Sequence, residues 1–311
     1  MAKIRKVCAG GIGRTKLDKA VIEFLRHCRL RNLSPRTLEY YTENLEYFQR
    51  ITAFTYTDEI TVSSLEEFIG HEMDKGNRVT AINTRIRGLR VFIHFCADRD
   101  YMEDFKFPLL KEDETVKEPY TDAELRKLLR RPASNQWVEW RSWAIVNTLL
   151  ATGIRANTLI NLHVGDLDFQ HNTVFLSKLK NRKQQTIPMS ETLKTALTVY
   201  LKMWEWRSED FLFPTLEGKQ MAKGSLQCAM RAYNLRRGVS KTSLHLFRHT
   251  FAKNYILAGG GMVQLQALLG HSTLDMTRKY IRLYSQDIQR DFERLNPLNT
   301  ILQKDTTQIY R

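Results

Sequence analysis

Between residues 17 and 104 apolar positions recur every three or four residues, the spacing that gathers them on one face of an α-helix. Val21, Phe24, Leu25 and Cys28 make one such stripe, and Leu38, Tyr41, Leu45 and Phe48 another. The first helix is expected to end near Asn32. Ser34 then stands where an N-cap belongs, and Pro35 fills the first helical position, where its missing N–H costs nothing. Further helices are expected over residues 63–75 and 80–96. The second of these interleaves Arg85, Arg87 and Arg90 with Ile86, Leu89, Phe92 and Ile93, so it can bury one face and offer a positive one to a partner.

From Tyr101 to Pro119 the chain gathers charges and prolines with few periodic apolar positions, which is how a linker between two folded units reads. A second helical unit opens at Tyr120, where Thr121 and Glu124 form the two halves of a capping box. Inside this unit Thr173 to Leu176, after the turn Gln170-His171-Asn172, carries a strand signal, and Thr186-Ile187-Pro188 another. Pro188 suits an edge strand because it has no N–H to donate. The run Gly259-Gly260-Gly261 reads as a helix end and turn. The fold class is therefore mainly α with a small β-sheet in the second unit. The expected divisions are a basic tail at 1–16, a helical unit at 17–104, a linker at 105–119, a second unit at 120–290 and a tail at 291–311.

Composition narrows the partner. The 48 Lys and Arg against 34 Asp and Glu give a formal charge of +14. Such an excess favours a polyanion, because each neutralised phosphate releases condensed counterions. No apolar run is long enough for a membrane span, and no membrane partner is expected. Cys8, Cys28, Cys96 and Cys228 are scattered without CxxC pairs, so neither a disulfide framework nor a zinc site is indicated, and a cytoplasmic location fits. The basic start of the chain, with Lys3, Arg5, Lys6, Arg14 and Lys16, reads equally as a solvated tail or as an arm lying on phosphates.

Four pieces carry chemistry: Ala151-Thr152-Gly153-Ile154-Arg155; Lys180 in the turn between the strands; His245-Leu246-Phe247-Arg248; and Leu269-Gly270-His271-Ser272 followed by Tyr280. Each alone is a weak signal. Together they supply what metal-free phosphodiester transfer needs: donors for two non-bridging oxygens, an acid for the leaving oxygen, and a nucleophile. Arg155 and Arg248 suit the oxygens, since guanidinium is a planar fork of donors that stays charged. Lys180 can deliver a proton, His245 and His271 can bind phosphate or shuttle a proton, and Tyr280 can form the covalent bond. His249 and Tyr284 read as structural.

In this order and context the pieces resemble the tyrosine recombinase or phage integrase family over roughly residues 17–297. The family's A-T-G-x-R segment matches Arg155, its hairpin lysine eight positions before a proline matches Lys180, and its H-x-x-R-H-T-F-A block matches His245 and Arg248. Its L-G-H-S segment, with the nucleophile nine residues after the His, matches His271 and Tyr280. Asn32 to Leu38 resembles the start of the family's core-binding domain. At the position three after Arg155, often acidic in the family, stands Thr158, which leaves open what orients Arg155.

The resemblance implies two domains clamping double-stranded DNA, cleavage through a 3′-phosphotyrosine and a free 5′-hydroxyl, and no ATP, metal or organic cofactor. It implies integration or excision of a mobile element or phage by a homotetramer on synapsed, nucleoid-associated sites, with accessory DNA-bending proteins as further partners. Ile288, Phe292 and Leu295, continued by Leu298, Ile301 and Leu302, form a stripe that is expected to dock on a neighbouring protomer or on its own domain. Two alternatives stay open: a DNA-binding protein without strand transfer, and a topoisomerase that relaxes supercoils with the same chemistry.

Overall fold

The computed structural model describes residues 14–112, 118–177 and 184–270, and the chain divides into two compact units, 1–115 and 116–311. In the first unit four helices, α1 (Leu17–Leu30), α2 (Pro35–Thr52), α3 (Val62–Asp74) and α4 (Val79–Asp98), enclose one core. Ser34 caps α2 by accepting the Thr37 amide at 3.2 Å. Phe24 packs edge-on against Tyr41, Phe92 and Phe95 with ring centroids 5.1–5.4 Å apart. Burying a phenylalanine fully contributes about 1.5–3 kcal/mol, and Phe24, Phe48 and Phe92 are all buried.

One carboxylate lies inside this unit. Glu72, fully buried, accepts from the Tyr47 hydroxyl at 2.6 Å and the Asn77 carboxamide at 3.1 Å, and pairs with Arg85 at 3.1 Å. Charge and hydrogen bonds together offset its removal from water. Two expected boundaries move. Residues 105–110 are not free linker: Phe107 is buried, Phe105, Leu109 and Leu110 pack on the same core, and Asn83 exchanges two hydrogen bonds with the Leu110 backbone. The apolar residues there are real core positions whose periodicity is broken by charges. Arg14 to Lys16, expected in the tail, are fastened as well, Arg14 to Asp58 at 3.0 Å and Thr15 to the Thr57 amide at 3.0 Å.

In the second unit helices α5 (Asp122–Leu129), α6 (Trp137–Thr152), α7 (Ala156–Leu159), α8 (Glu191–Leu201), α9 (Lys223–Arg236), α10 (Leu244–Leu257) and α11 (Met262–Leu269) accompany one small antiparallel sheet. Thr121 and Glu124 form the capping box of α5. The sheet runs in the order β1 (Leu167–Asp168), β2 (Thr173–Leu176), β3 (Gln185–Pro188), with Pro188 on the edge strand opposite Thr173. β1 has no alternation to reveal it, being two residues long. It is set by the turn that follows, where the Asp168 carboxylate accepts the Gln170 and His171 amides.

The centre of this unit is α6, most of whose residues are buried on every side, against α8, α9, α10 and α5. It stops at Gly153, in the left-handed region at φ +62°. A Cβ there would lie 2.4 Å from Phe251 and 2.9 Å from Leu269, so no larger residue fits beside α10 and α11. The Gly259–Gly261 turn joins α10 to α11, with Gly261 as the N-cap. Among the described residues no helix is long and apolar enough to cross a membrane.

Candidate active site

The glycine stop of α6 turns the chain so that Arg155 becomes the N-cap of α7. Its guanidinium donates to the Leu269 carbonyl, 3.4 Å away at the end of α11. Arg248 reaches the same place from α10. It is buried, and its two terminal nitrogens donate at 2.8 Å to the carbonyls of Gly153 and Leu269. One backbone oxygen thus receives both arginines, and a guanidinium fork links the ends of α6 and α11.

His245 stands one turn before Arg248 on the same face of α10, exposed at the rim of the cluster. Desolvation, then the neighbouring His249, Arg248, Arg155 and Lys223, hold its imidazole below the ordinary value, favouring the neutral ring. The structure therefore brings Arg155, His245 and Arg248 together. Lys180, His271 and Tyr280 lie outside the described residues, as do the 291–311 tail and Tyr284.

Two further basic residues act on His245. His249, set aside as structural, has its ring 5.7 Å from that of His245, one turn apart on α10. Lys223, the first residue of α9, acts on His245 by its charge; no motif surrounds it, and the fold alone brings it near. Thr158 is buried in α7, and among the described residues the acceptor that orients Arg155 is the Leu269 carbonyl.

In the first unit the three arginines of α4 have different surroundings. Arg85 is engaged with Glu72 and lies over the Tyr47 ring at 3.8 Å. Arg87 keeps about half its side chain in solvent and meets Glu112 at 3.5 Å. Arg90 is half-buried beside Leu65, Phe68 and Ile86.

Comparison with known proteins identifies relatives of the chain. Residues 120–287 match the model of the phage integrase family. The tyrosine recombinase XerD of Haemophilus ducreyi is 27% identical over 300 residues, spanning 91% of this chain and 99% of that protein. Among solved structures, the Tn1549 transposon integrase in complex with transposon right end DNA superimposes with a TM-score of 0.74 at 22% identity, over 86% of this chain and 94% of that one. A lambda integrase tetramer bound to a Holliday junction gives 0.66 at 15% identity, over 83% of this chain and 78% of that one.

Proposed function

This chain belongs to the phage integrase family and is a tyrosine-type site-specific recombinase, and from that premise we propose how it acts on duplex DNA. Arg155 and Arg248 neutralise the non-bridging oxygens of the scissile phosphate as charge builds there. The Tyr280 oxygen bonds to phosphorus, the bond to the 5′ oxygen breaks with its electron pair on that oxygen, and Lys180 supplies the proton that makes it a hydroxyl. His245 and His271 hydrogen-bond the phosphate or carry the nucleophile's proton. Attack by a partner strand's 5′-hydroxyl reverses the sequence, so bond energy is kept in the 3′-phosphotyrosine and no cofactor is called for.

The observation that carries this reading is the convergence of Arg155 and Arg248, from two separate stretches of sequence, on the end of α11 immediately before His271, with His245 beside them on α10. The DNA-bound neighbours support duplex DNA as the partner, and the tetramer on a Holliday junction supports assembly of four copies on synapsed sites. The helical unit 17–104 would bind DNA as well as unit 120–290, with Arg87 the best placed of the α4 arginines to meet a phosphate; Arg85 would act there while held by Glu72. The stripe from Ile288 to Leu302 would dock in trans, accessory bending proteins would assist, and the work would be integration or excision of a mobile element in the nucleoid.

The test is a nicked suicide duplex. Wild type is expected to accumulate a covalent adduct, Tyr280→Phe to bind the site and form none, and Tyr284→Phe to form it still. An adduct with Tyr280→Phe would overturn the assignment.

A further inference from the structure

The last carbonyls of a helix have no partner within it. In α11 two of them receive side chains from elsewhere in the unit. Leu269 receives the two arginines, and Ala267 receives, besides the Gly270 amide at 3.0 Å, the Gln185 carboxamide nitrogen at 2.6 Å.

Gln185 opens β3 and faces Leu176, the last residue of β2. The connection between this pair is residues 177–184 and holds Lys180. Of the two residues that bracket it, Leu176 is sunk in the core, and Gln185 reaches sideways to α11. A second contact repeats the approach: at Gly270, φ +60°, a Cβ would lie 3.1 Å from the Gln185 carboxamide oxygen. The side chain therefore lies across the end of α11, its donor on one carbonyl and its oxygen beside the glycine that leads into His271.

We propose that Gln185 is a positioning residue for strand cleavage, fastening the base of the Lys180 hairpin to the helix end that also holds Arg155 and Arg248. The proton donor and the two guanidiniums then share one frame, and the distance from Lys180 to the leaving oxygen is set against the phosphate rather than against the bulk of the sheet. The inference rests on Lys180 being the acid in the reaction above. Nothing in the polar run Gln184-Gln185-Thr186 marks the residue; its partner is 82 positions away in the chain.

Single-turnover cleavage of the suicide duplex by the full-length protein tests this, with the ordinary 5′-bridging oxygen and with sulfur in its place, a leaving group that needs no proton. Gln185→Leu, similar in size and without a donor, is expected to cleave the oxygen substrate about tenfold more slowly than wild type, in line with one lost hydrogen bond, and the sulfur substrate at the wild-type rate. Should Gln185→Leu fail to fold, Gln185→Glu, which turns an acceptor towards the Ala267 carbonyl, takes the same test. Equal slowing on both substrates, or no slowing on either, overturns the proposal. Lys180→Ala is measured alongside. If sulfur does not rescue it, the assignment of Lys180 fails and takes this inference with it; if wild type forms no adduct on either substrate, the strand-transfer reading itself fails.

Discussion

Among the described residues the acceptor for the Arg155 guanidinium is a backbone carbonyl, and this illustrates what a residue-level motif can and cannot convey. The segment Ala151 to Arg155 announces an arginine after a glycine, and the H-x-x-R spacing places His245 and Arg248 on one helical face, so both were legible. The shared acceptor Leu269 was not, because a main-chain oxygen has no residue type to recognise; nor was Lys223, whose effect on His245 depends on the fold bringing the start of α9 within range of its charge. His245 carries a prediction at this scale. Its folded pKa lies below the ordinary value of about 6.5, so the native state binds fewer protons than the unfolded one, and its contribution to stability is present above that value and lost as pH falls through the folded pKa. Imidazole titration followed by NMR should find His245 below an unperturbed histidine, and Arg155→Ala should move it upward. A His245 titration unchanged in that variant would mean that Arg155 does not act on it.

Among the elements, local chemistry foretold what local chemistry determines. Ser34-Pro35 starts α2, Thr121 with Glu124 starts α5, and the β2–β3 pair closes with Pro188 at the edge. Where tertiary contact decides, the signal was missing: β1 is two residues pinned by a side-chain turn, and the apolar residues of 105–110 pack on the core while Asn83 holds the Leu110 backbone. Gly153 is the junction on which the site depends. Gly153→Ala should destabilise the protein by about 1–2 kcal/mol through the left-handed backbone alone. It should also push Phe251 and Leu269 aside, since a Cβ has no room there. Thermal unfolding and cleavage rate measured together should show the rate falling further than the stability loss explains, because Leu269 carries the acceptor for both arginines.

For the whole molecule, the formal charge of +14 makes a statement about partners that needs no fold. Binding to duplex DNA should weaken steeply with salt, log affinity falling linearly with log salt concentration, because most contacts would be to phosphates. A nearly flat plot would show that base contacts and shape dominate. The helix that ends at Gly153 has a consequence on another axis, that of time. Ten of the 16 residues of α6 are buried, against helices on all sides. Amides in such an element exchange with solvent through global unfolding rather than fraying. Arg155 follows that helix by three residues, so its placement persists for as long as the domain does, and heat should extinguish catalysis and melt the core in one event.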